Sequence, residues 1–177
     1  APVKARRVRF TIKATNNLEP CLDELEVFNI EGRNVALETA GTKRKSSGDI
    51  GVAERHELRF LNDGRYGNSR SWMGSEIGRG WVELEFAKEE TIERVVWGRD
   101  REGKYTDRLA IDYQIEIGNS AGNWSTVADA GDRRKYDPAG DGKEAKLSLS
   151  GLTPEEGARA APLLSEKKTN ETKIKAA

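Results

Sequence analysis

The residues best equipped for chemistry fall in two glycine-punctuated stretches, Leu61 to Trp72 (LNDGRYGNSRSW) and Arg99 to Arg108 (RDREGKYTDR). Tyr66, Tyr105 and Trp72 could lay flat faces against a ligand or anchor the loops. Asn68, Arg70, Arg99, Asp100 and Arg101 could bond a ligand's polar groups. Gly and Asn/Asp shape such loops because they tolerate positive φ or bond their own backbone. Each candidate also has a plainer use. Trp72 reads as a core anchor for its loop, and Arg99-Asp100-Arg101 can be a solvated salt-bridge cluster worth about 0–1 kcal/mol. Trp97, inside an apolar run, reads as core, whereas Trp81, on the polar phase of its strand, reads as the more exposed.

Catalytic groups are scarce. His56 is the single histidine; it stands in a charged loop with no nucleophile near it in sequence and reads as solvent-exposed. Cys21, the single cysteine, excludes an internal disulfide and reads as a buried, inert thiol. No glycine spacing matches a phosphate loop leading into a helix. The chain is therefore expected not to be an enzyme.

The elements that must position these loops are short strands. RVRFTIKA (residues 7–14) alternates Val8, Phe10, Ile12 and Ala14 against Arg9, Thr11 and Lys13. Leu22 to Ile30 is a second extended segment, and Val35-Ala36-Leu37 a third. Residues 41–55, with Lys43-Arg44-Lys45 and Ser46-Ser47-Gly48, read as a polar loop. WVELEF (81–86), IERVVW (92–97), residues 112–117, a WSTV hairpin partner and KLSLS (146–150) complete the set. About eight short strands without crossover helices predict an all-β, antiparallel jelly-roll β-sandwich and exclude a parallel α/β fold.

The segment from Thr153 changes character. Thr153-Pro154-Glu155-Glu156 combines an N-cap, a first-turn proline and a capping-box glutamate, so a helix should start at Pro154, with Pro162 kinking or restarting it. The predicted division is a β domain over residues 1–152 and a helical linker or tail over 153–177.

Thirty basic and thirty acidic residues cancel, so no global field draws the chain to nucleic acid or an anionic membrane. No apolar run approaches the ~18 residues of a membrane span. The opening Ala1-Pro2, with neither Met nor signal segment, reads as a piece of a longer or processed protein.

The order of these motifs resembles the discoidin family, also called coagulation factor 5/8 type C domains. Asn34-Val35-Ala36-Leu37, a polar loop, Asn62-Asp63-Gly64, Trp72, then Gly80-Trp81-Val82-Glu83-Leu84, Val96-Trp97-Gly98-Arg99, and Asp112 to Ile117 followed by Trp124 run in that family's order over about residues 8–150. VRFTI and CLDELEVF, which usually close the domain, come first here, so the chain resembles a circular permutant. That order would set strand 7–14 in the middle of a sheet.

The resemblance implies a galactose-binding-like, noncatalytic carbohydrate-binding module of a large secreted or cell-envelope bacterial protein. Its ligand residues would be Tyr66, Asn68, Arg70, Arg99, Asp100, Arg101 and Tyr105. It also implies a structural Ca²⁺ near the Asp-Gly turn, held by backbone carbonyls, Asp63 and Glu24, with Ser71 or Asn68 as additions. The loop from Asp63 to Trp72 is longer than the family's usual one. The alternative is a structural or protein-interaction module that positions flanking domains of the same chain. Loops 41–55 and 65–72 carry few of the apolar spikes that membrane-binding relatives expose, which disfavours a phospholipid role.

Overall fold

Val8, Phe10 and Ile12 are buried while Arg7, Arg9 and Thr11 face outward, so Val3–Thr15 (β1) is a strand with one dry face. The computed structural model describes residues 1–137 and 154–175. Seven more strands follow: Cys21–Leu22 (β2), Glu24–Asn29 (β3), Lys43–Ser46 (β4), Trp72–Met73 (β5), Gly80–Gly98 (β6), Ala110–Gly118 (β7) and Trp124–Asp129 (β8). The fold is an all-β sandwich. A six-stranded antiparallel sheet has the order β3-β6-β1-β7-β8, with β4 also on β6, and β2 and β5 form a two-stranded sheet.

β1 lies between β6 and β7, with Phe10 opposite Val82 on one side and Ile115 on the other. An early strand thus holds the middle of the sheet, as the permuted motif order predicts. Its inward residues meet Leu22, Leu25, Val27, Trp72, Val82, Leu84 and Ile115 in one core. Phe10, Tyr113 and Trp97 form an aromatic knot within it, with ring centroids 5.0–5.1 Å apart.

Three local expectations are corrected. Val35-Ala36-Leu37 is not a strand, because the Asn34 side-chain oxygen accepts from both Val27 N (3.2 Å) and Ala36 N (3.1 Å) and folds the run into a turn. Residues 43–46, read as loop, are β4: they pair with β6 from Lys43 opposite Glu85 to Ser46 opposite Val82. KRKS has no apolar residue to reveal the period, which suits a charged edge strand. WVELEF and IERVVW are one 19-residue strand, whose first half pairs with β1 and β4 and whose second half pairs with β3.

The compact unit spans Ala1–Tyr136, and Asp137–Ala177 forms a second unit. In that second unit Pro154–Lys175 is a helix, α1, and it runs through Pro162 rather than restarting there. Proline removes one hydrogen bond from a helix, but its fixed φ is helical. The predicted strand 146–150 and the Thr153 cap lie outside the described residues. Among the described residues no helix is long and apolar enough to cross a membrane.

Candidate functional site

Sheet pairing decides which loops meet. β2 runs against β5, with Leu22 opposite Trp72, so the 62–72 loop lands beside Asp23. β3 runs against β6, with Glu24 opposite Gly98, so the loop that starts at Arg99 lands beside the same residue. Asp23 N donates to Gly98 O at 3.0 Å and closes the seam. Gly98 is required there, since a Cβ would sit 2.9 Å from Arg101 Cγ and 3.1 Å from Asp23 Oδ1.

Side chains then lock the two loops together. Arg99, only 5% exposed, donates from Nη1 to Asn68 Oδ1 (2.6 Å), from Nε to Asp107 O (2.7 Å) and from Nη2 to Asp107 Oδ1 (2.6 Å). Arg101 donates its backbone N–H to Asp23 (2.7 Å) and its Nη1 to Glu26 (2.6 Å). Asp100 is internal scaffolding: its carboxylate accepts from the N–H groups of Glu102, Lys104 and Tyr105. The loops present two aromatic rings outward, among exposed polar residues that include Arg65, Ser69, Glu102 and Lys104. Tyr66 is 47% exposed and Tyr105 40%. The Arg101 guanidinium lies 4.4 Å from the Tyr66 ring centroid and that of Arg99 lies 5.6 Å from Tyr105. Tyr66 also donates its hydroxyl to Glu26 Oε1 at 3.0 Å, and burial of that end together with this bond raises its pKa.

Six of the predicted ligand residues (Tyr66, Asn68, Arg99, Asp100, Arg101 and Tyr105) therefore belong to one connected assembly. Arg70 turns the other way, donating to Asp63 and stacking 4.4 Å from the Phe60 centroid. Trp72 is fully buried and its indole N–H donates to Gly48 O at 3.0 Å, as a core anchor should. Sequence reasoning missed Asp23, Glu26 and Asp107, the acids that hold the arginines. Their signal is faint: three acids in DELE fall on both phases of a strand, which means that at least one points inward.

The residues expected to hold calcium do not assemble as a set. Glu24 is fully buried; Oε1 accepts from Gly64 N at 3.0 Å and Oε2 has no partner. Burial, with Asp63 and Glu26 nearby, pushes its pKa up to about 8. Asp63 is occupied: Oδ1 accepts from Arg65 N at 2.9 Å and Oδ2 from Arg70 Nε at 3.1 Å. Ser71 lies in a different cluster. Calcium takes roughly six to eight oxygens, whereas these three side chains offer one open carboxylate oxygen. Among the described residues no group of three or more His, Cys, Asp or Glu side chains is arranged to hold a metal ion. The donor set does not fit.

His56 is buried rather than solvent-exposed, a correction with a clear cause. The 52–56 turn folds back, so that its ring Nδ1 lies 2.9 Å from Ser71 Oγ, on which the Cys21 thiol also converges at 3.3 Å. Ser71 gives its own proton to Asn68 O at 2.9 Å, so His56 Nδ1 carries the proton and donates. A serine activated for attack needs the opposite polarity. Burial, then the charges of Arg55, Arg99 and Arg108, lower the His56 pKa, while burial raises that of Cys21. In long-range ¹H–¹⁵N spectra His56 should therefore be the Nδ1–H tautomer, with a titration midpoint below the ordinary 6.5. Because the unfolded chain binds this proton more readily, His56 withdraws stability as pH falls below about 6.5. A ring that titrates at or above 6.5 would contradict the geometry.

Comparison of the chain with family models, with curated proteins and with solved structures finds no match.

Proposed function

We propose that this chain is a noncatalytic carbohydrate-binding module of a larger protein, with Tyr66 and Tyr105 as its contact surface. The observation that carries this reading is the pair of half-exposed tyrosines on loops fastened by Arg99 to Asn68, each with a guanidinium near its ring. Flat aromatics held still present apolar area to a sugar at low entropic cost. The ordered resemblance to discoidin modules supports the same class, and it extends the proposal to a secreted or cell-envelope setting. The buried, reversed His56–Ser71 pair supports the absence of catalysis.

A second reading, a module that positions neighbouring domains, is favoured by one fact. Arg70, Arg99 and Arg101 are all engaged in internal ion pairs, which leaves few side chains to bond hydroxyls. A glycan array followed by calorimetry separates the two. For a glycan that binds, Tyr66→Ala and Tyr105→Ala should each weaken affinity roughly tenfold or more, the scale of one aromatic contact; Tyr66→Phe, which keeps the ring and removes only the hydroxyl bond to Glu26, should bind far more tightly than Tyr66→Ala. No saturable binding at millimolar sugar, or binding indifferent to both substitutions, would leave the positioning role.

A further inference from the structure

We infer that Tyr136 is a third contact residue of the site, so that the surface takes a chain of linked sugars rather than one terminal sugar. The inference rests on the carbohydrate-binding reading above and names the class of glycan. It begins with Asn16, the residue directly after β1. Asn16 exchanges hydrogen bonds with Leu109: its N–H donates to Leu109 O at 3.0 Å, and its Oδ1 accepts from Leu109 N at 2.9 Å. Its amide Nδ2 donates twice, to Thr106 O at 2.8 Å and to the Tyr136 hydroxyl at 3.1 Å. Both amide hydrogens are then used. One side chain thereby fastens Tyr136 to the residue that follows Tyr105.

This anchoring decides what Tyr136 can offer. A tyrosine is an apolar ring with one polar tip. Here the tip is bonded to the protein while the residue stays 41% exposed. Tyr66 is built the same way, with its hydroxyl on Glu26 and 47% exposure. Tyr113, by contrast, is 3% exposed and belongs to the core. A ring already tied at its tip loses little further freedom on meeting a ligand.

The three exposed tyrosines fall on one connected path. Arg99 joins the Tyr66 loop to the Tyr105 loop through Asn68 and Asp107, and Asn16 joins the Tyr105 loop to Tyr136. A pyranose and a phenol ring are of similar size, so a single sugar covers a single tyrosine. A linked chain can engage several of them, and each contact after the first is intramolecular, so affinity climbs with chain length.

Calorimetry on the full chain tests this with galactose, glucose and N-acetylglucosamine and with their β-linked oligomers from dimer to hexamer. For a series that binds, affinity should rise about tenfold or more from monomer to hexamer. Tyr136→Ala should weaken hexamer binding about tenfold. Tyr136→Phe, which keeps the ring and loses the bond to Asn16, should weaken it less. In the native protein the Tyr136 ring protons should shift on addition of the hexamer, a readout that needs no variant to fold. Equal affinity for monomer and hexamer overturns the inference. So does a hexamer affinity that Tyr136→Ala leaves unchanged, or a Tyr136 ring that the hexamer leaves unshifted. If Tyr66→Ala still weakens that sugar, the carbohydrate-binding reading survives the loss; if no series binds, both fall.

Discussion

Trp72→Ala is expected to cost about 3–5 kcal/mol of folding stability, the usual loss for a large aromatic truncated in a core. The residue is fully buried, packs in the one core cluster, and donates its indole N–H to Gly48 O at 3.0 Å. The loss is large against the ~5–15 kcal/mol that holds a domain of this size together. Trp72→Phe separates the two contributions. It keeps most of the apolar burial and removes the N–H, leaving the Gly48 carbonyl without that donor at a cost of about 1–3 kcal/mol. Urea titration should show lower midpoints with an unchanged slope for both variants. A loss under about 1 kcal/mol for Trp72→Ala would mean that the loop is anchored elsewhere.

Glu24→Gln is expected to stabilise the protein at alkaline pH. The folded state holds Glu24 with a pKa near 8 against an ordinary value of 4.5, because burial penalises its charge before any neighbour acts. Folded protein thus binds this proton more tightly than unfolded chain, so Glu24 withdraws stability as pH rises from about 4.5 through 8. Each unit in that window removes up to about 1.4 kcal/mol, which sums to an order of 3–5 kcal/mol at pH 9. Glutamine has the same shape, stays neutral and still accepts from Gly64 N. The two proteins should match near pH 4 and diverge progressively from about pH 5 to pH 8, with the glutamine variant more stable. His56 acts oppositely below about 6.5, so the His56 contribution should be subtracted by comparing both proteins in the same buffers. Parallel stability curves from pH 5 to 9 would refute the burial argument.

Sequence reasoning served best where one physical cause dominated. In β1 and β7 the alternation of Val8, Phe10 and Ile12, and of Tyr113, Ile115 and Ile117, directly mirrors which side chains are dry. Glycine-bounded loops were legible for the same reason, because turn chemistry is local. Lys43–Ser46 was not, since its strand character comes wholly from pairing with β6. Val35-Ala36-Leu37 misled because burial alone was read as extension, while Asn34 bonded the backbone into a turn. In the candidate site, residue types were visible but their partners were not. Nothing in the spacing of Arg99, Arg101 and Arg70 tells that Asp107, Glu26 and Asp63 will claim them. The Arg101–Glu26 pair spans 75 positions and depends on the sheet that brings β3 beside the Arg99 loop, while the other two close within single loops whose turns choose the partner.

The central place of β1 sets a timetable for the nascent chain. Arg7 to Ile12 must wait for Gly80 to Glu85 on one side and for Tyr113 to Gly118 on the other. At ~5–20 residues synthesised each second, the strand that ends up most enclosed spends several seconds with neither neighbour made. Both of its edges are open to other chains during that interval, and its alternating Arg7, Arg9 and Lys13 give a charged face that resists such pairing. The arginines that later lie against Trp81 and Trp124 thus first serve as guards of an unfinished sheet.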